Sequence, residues 1–124
     1  MSPEIYKIIH LGGIFFLFAA MGGVVLAYRS GATVPERTRK IAAMTHGIAL
    51  LVILVAGFGL FKYVGVGHNP GTWPLWVWGK FVIWLAFGGA LVVIRKKPQL
   101  ATLMWVGLPL LGMVSAWLAF FKPT

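Results

Sequence analysis

Few residues in this chain could do chemistry, and their scarcity narrows the possible functions. Cysteine is absent, and Glu4 and Glu36 are the only carboxylates among 124 residues. Disulfides and thiolate metal sites are therefore excluded. A hydrolase needs a carboxylate or an activated nucleophile beside a base, and no such constellation exists. What is left is His10, His46 and His68, Ser115, and Lys80 inside an apolar run. Neutral imidazole is a common iron ligand, and neutral lysine a rarer one. An ionisable group within a membrane span is costly, so each of these needs a partner. Function then depends on which of them can meet.

The elements that carry them follow from composition. Hydrophobic residues make up 60% of the chain and charged residues 10%, with mean hydropathy +0.90. A small soluble protein buries only about two-thirds of its surface and could not hide such an excess. Lipid is the expected solvent. Apolar runs at residues 5–28, 41–63, 74–94 and 100–121 are each long enough to cross a hydrocarbon core of about 30 Å. Each must be a helix, because an isolated strand would leave backbone groups unpaired in lipid. The fold class expected is an all-α integral membrane four-helix bundle with antiparallel spans in a single transmembrane domain. The first run is too long for a cleaved signal peptide and lacks its small-residue cleavage pattern.

The net charge of +9 would suggest nucleic acid in a soluble protein. Here the basic residues lie between spans and act as topology signals. Arg29, Arg37, Arg39 and Lys40 sit in the first connection, and Arg95, Lys96 and Lys97 in the third. Short basic loops stay in the cytoplasm. Both termini are therefore expected outside, and the location expected is the bacterial inner membrane. The second connection, KYVGVGHNPGTWP, is rich in glycine and proline and reads as a loop. Tyr63, Trp73, Trp76 and Trp78 around it form an aromatic belt at the outer interface. Glycines recur in every span, where small residues let helices approach closely.

Depth decides which polar groups share a site. At about 1.5 Å per residue, His10 lies roughly 8 Å from the outer end of the first span. Lys80 lies at nearly the same depth in the third span, and Ser115 matches both from the fourth. On the second span, Gly57 and Leu60 reach that level. His46 enters from the cytoplasmic side and should lie about 15–20 Å from His10 along the membrane normal. One iron cannot take both histidines as ligands. The candidate site is thus His10 with Lys80, flanked by Trp76 and Ser115, with His68 able to fold down from the outer loop. Packing roles compete with this reading. His10 can hydrogen-bond a carbonyl or Ser115, Lys80 can reach outward past Trp76, and His46 reads as a structural or interfacial residue.

The contexts YKIIHLGGIFF around His10 and WVWGKFVIWL around Lys80 resemble the HemJ-type protoporphyrinogen oxidases and the related CopD-like and SirB-like membrane proteins. That resemblance implies bound haem b, with His10 as an iron ligand and Lys80 beside it. The chain departs from the HemJ pattern in LAYRSG after the first span and in carrying His46. Haem b or porphyrin binding with a redox role is therefore one expected function. A cofactor-free accessory subunit of a membrane complex or a homo-oligomer is the second. A small transporter or channel is the third, although proton-coupled cation export wants a membrane carboxylate and the chain has none within a span. Lipid is the expected partner. Nucleic acid is not, because the basic loops are short and topology accounts for them.

Overall fold

The computed structural model describes residues 2–31 and 33–122. It contains four long helices: α1 (Pro3–Arg29), α2 (Glu36–Leu60), α3 (Leu75–Lys96) and α4 (Ala101–Phe121). No strand occurs among the described residues. All four helices are long and apolar enough to cross a membrane, as a multi-pass membrane protein would require. Their number and order are those expected from hydropathy.

The helix ends follow local chemistry. Ser2 caps α1 by accepting the Ile5 N–H at 3.4 Å, and Pro3 takes the first helical position, where its missing N–H is harmless. Gly31, with φ +74°, turns the chain out of α1 in a conformation that suits glycine. α2 begins five residues before its apolar run, because charged residues extend the helix beyond its lipid-compatible part. Pro35 precedes it in an extended conformation, and Glu36 pairs with Lys40 at 3.4 Å one turn on. α4 continues through Pro109.

The helices form a ring in which α1 packs on α2 and α4 and reaches across to α3, while α3 bridges α2 and α4. The tightest seam is α1 on α2. Individual glycines explain the close approaches. A Cβ on Gly13 would lie 2.9 Å from Ile53 and 3.3 Å from the Ala49 carbonyl oxygen. A Cβ on Gly59 would collide with the Tyr6 ring. Between α3 and α4, Gly79 admits Leu118, and between α1 and α4, Gly112 admits Phe18. Other glycines behave differently: nothing lies within 4 Å of a Cβ placed on Gly12, the sequence neighbour of Gly13, or on Gly23 or Gly89.

The core is stacked in three layers. Val24, Val25, Ile94 and Ala101 close the end near the first and third connections, where Arg29 also donates to the Thr102 hydroxyl at 3.2 Å. Leu17, Met21, Ala49, Ile83, Phe87 and Ala90 fill the middle, and Phe18 meets Phe87 edge-on at 5.3 Å. Phe15 and Phe16, by contrast, face outward. Phe61, Val66 and Val77 close the other end beneath the long connection. That connection is held by its own bonds. Val66 N–H reaches the Phe61 carbonyl at 2.9 Å, Asn69 caps Gly71, and Trp73 Nε1 donates to the Gly67 carbonyl at 3.0 Å.

Candidate functional site at the loop end of the bundle

His10 and Lys80 both belong to inward-facing stripes. On α1, Gly13, Leu17, Met21 and Val24 are buried at spacings of three and four, and His10 precedes them by one turn. On α3, Val77, Ile83, Phe87 and Ile94 are buried, and Lys80 falls between the first two on the same face. The two helices run the same way, so both polar groups arrive at one end of the bundle. Each is half-buried.

His10 has a definite partner. Its Nδ1 lies 2.9 Å from the Ile53 carbonyl oxygen on α2. A carbonyl only accepts, so Nδ1 carries the proton and donates. In the neutral ring, Nε2 then keeps its lone pair. Gly57, one turn past Ile53, lies beside the same ring: a Cβ there would lie 3.6 Å from His10 Cε1, in ordinary van der Waals contact. Ser115 is half-buried on α4, but the His10 partner is the backbone of α2 and not this hydroxyl.

His46 is elsewhere. The α1–α2 seam pairs Tyr6 with Gly59, His10 with Gly57 and Gly13 with Ala49. That antiparallel register sets His46 about nine residues, or roughly 14 Å, along α1 from His10. His46 is 5% exposed and donates through Nε2 to the Phe87 carbonyl at 2.8 Å. A third ring donor, Trp84 Nε1, reaches the Leu50 carbonyl at 3.0 Å. These bonds are polar ties between helices, and α2 takes part in all of them. His10 joins α1 to α2, while His46 and Trp84 join α2 to α3.

Lys80 is different in kind. Among the described residues it has no hydrogen-bond acceptor and no carboxylate partner. Its amine is not sealed from the surface either, because no fully buried polar side-chain atom among the described residues lacks a partner. Trp76, one turn before it, is covered by Lys122 from the end of α4, with Nζ 5.7 Å from the ring centroid. His68 is exposed and lies against Phe61, ring centroids 6.1 Å apart. The structure does not bring His68 together with His10 or Lys80 among the described residues.

The chemistry available for a haem-type cofactor can be judged from these donors. His10 has the form that metal-binding imidazoles usually take, with one ring nitrogen donating to a carbonyl and the other free. Among the described residues no group of three or more His, Cys, Asp or Glu side chains gathers to hold a bare metal ion. Two surface grooves do not supply the space for a haem-type cofactor. One, about 440 Å³, runs along the α1–α2 seam past Ile9, Gly12 and Phe16. The other, about 200 Å³, lies between α1 and α4 near Trp105 and Pro109. Neither includes His10 or Lys80.

Comparison with protein-family models, curated proteins and solved structures finds no match.

Lys122 does not emerge from the sequence as part of this site. Nothing in the sequence pairs it with Trp76; only the close of α4 beside the start of α3 brings them together. The available signal is positional, since Lys122 ends the fourth span at the same end as Lys80.

Proposed function

We propose that the chain is a multi-pass protein of the bacterial inner membrane, with basic loops cytoplasmic and both termini outside, that binds haem b or a related porphyrin near its outer face in a redox role. The observation that carries this reading is the His10 hydrogen bond. Donation from Nδ1 to the Ile53 carbonyl fixes the tautomer of the neutral ring and leaves the Nε2 lone pair available to an iron. Lys80, at the same end on the inward stripe of α3, is the second group of the proposed site. Haem, when bound, would supply one-electron chemistry. The protein's part is to hold the ligand ring, to supply a cation beside it and to exclude water with the aromatic loop.

The absorption spectrum of protein purified after expression with ample haem tests this directly. A Soret band that remains with the protein through gel filtration is expected. A colourless protein under those conditions would overturn the proposal.

A second reading has its own observation. The His10, His46 and Trp84 bonds are all helix-to-helix ties, and Ala101 is the only fully buried residue in α4 among the described residues. A cofactor-free accessory subunit, with α4 covered by a neighbour, would show both features. It predicts no Soret band and co-purification with a larger membrane complex or as a homo-oligomer.

A further inference from the structure

The outer end of the bundle holds more positive charge than its neighbours compensate. Lys80 lies on the inward face of α3, one turn from Trp76. Lys122 covers that same tryptophan from α4, with its Nζ 5.7 Å from the ring centroid. Both lysines are thereby placed near one ring at the α3–α4 seam, Lys80 by its four-residue spacing on the helix and Lys122 by contact. Among the described residues no carboxylate side chain pairs with either of them. Glu36 is spent on Lys40 at the opposite end, and Glu4 is exposed at the start of α1 with no ion pair among the described residues. Lys122 has one acceptor, the Ala119 carbonyl at 2.8 Å, and Lys80 has none among the described residues.

Two like charges near one indole at the end of apolar helices repel each other, and a membrane makes that repulsion stronger by excluding water. An anion between them reverses the sign of the interaction. The depth suits one class of anion above others. Trp76 belongs to the aromatic belt, where amphipathic rings sit level with lipid headgroups, and basic pockets between spans bind anionic headgroups.

We propose that Lys80 and Lys122, grouped around Trp76, form a binding site for a phosphate group, that of an anionic phospholipid headgroup or of free phosphate. The inference does not rest on haem: Lys80 is shared with the proposed haem site, but Lys122 is not, and the test is made on protein without haem.

Native mass spectrometry of the delipidated, detergent-purified full chain tests it, with short-chain phosphatidylglycerol, short-chain phosphatidylcholine and inorganic phosphate as probes. One tightly retained phosphatidylglycerol per chain is expected, with phosphatidylcholine held more weakly. At about 1 kcal/mol per basic residue, Lys80→Met and Lys122→Met should each weaken retention about fivefold, and the pair together about 25-fold. Lys80→Arg should restore it, and Lys62→Met, at the same end but seated over Tyr63, should leave it unchanged. Competition by millimolar phosphate would assign the site to the phosphate group alone; failure to compete would assign it to the whole headgroup with its chains. Equal retention by the double variant, or an equal loss in Lys62→Met, would overturn the proposal. Should the double variant fail to fold, the Lys122→Met single variant, altered only at an exposed helix end, decides the matter.

Discussion

Gly13→Leu is expected to separate α1 from α2 and destabilise the protein by about 3 kcal/mol or more, while Gly12→Leu, one position earlier, leaves stability nearly unchanged. The difference follows from what each side chain would meet. At Gly13 a Cβ alone would come within 2.9 Å of Ile53, 3.2 Å of Val52 and 3.3 Å of the Ala49 carbonyl. Side chains can rotate away, but the Ala49 oxygen is backbone and moves only if the helix moves. Overpacked cores typically lose about 1–3 kcal/mol, and leucine adds three further carbons to a seam that lacks room for one. At Gly12 nothing lies within 4 Å, and leucine is also a better helix former than glycine by up to about 1 kcal/mol. Thermal unfolding of both variants in the same detergent decides the point. Similar losses at the two positions would show that the α1–α2 seam does not have the register described.

His10→Ala is expected to abolish the Soret band, with His46→Ala retaining it. Even a residue that merely orients a metal ligand costs about 10–100-fold in affinity, so loss of the ligand itself should exceed about 100-fold. His46 is roughly 14 Å away by register and its Nε2–H is committed to the Phe87 carbonyl, so its removal should lower stability and leave the spectrum alone. A band that survives His10→Ala and vanishes with His46→Ala would relocate the cofactor to the opposite half of the bundle. Gly57→Leu is a useful companion, since it crowds the His10 ring from α2 while sparing the imidazole.

Much of this architecture is legible in the sequence, for a physical reason. The number of spans depends only on the length of apolar runs, and the shared depth of His10 and Lys80 depends only on counting residues from the span ends. Both quantities are one-dimensional. What cannot be read is rotation and register. Gly12 and Gly13 are identical in composition arguments, yet only at Gly13 would a Cβ meet α2 within 4 Å. The carbonyl that accepts from His10 belongs to Ile53, a fact about two helices in contact. His46, beside Thr45 and near the basic connection, reads equally as interfacial or structural; the structure buries it against Phe87. Lys122 cannot be singled out in one dimension, because its importance comes from the neighbour it covers.

The ties that converge on α2 have a mechanical consequence. In an α-helix the Leu50 carbonyl already accepts the Leu54 N–H, and the Ile53 carbonyl the Gly57 N–H. Each now also receives a ring proton, from Trp84 and from His10 respectively. A carbonyl drawn toward two donors holds each less tightly, and side chains that reach into the ladder are a recognised origin of helix bending. One turn of α2 is therefore more compliant in flexure than the turns on either side, and it lies directly against the His10 ring. Amide exchange should register this as faster exchange at Leu54 and Gly57 than at Val52 and Ala56, and equal rates would show the turn to be as stiff as the rest. A bundle that must open beside His10 would yield first at that turn.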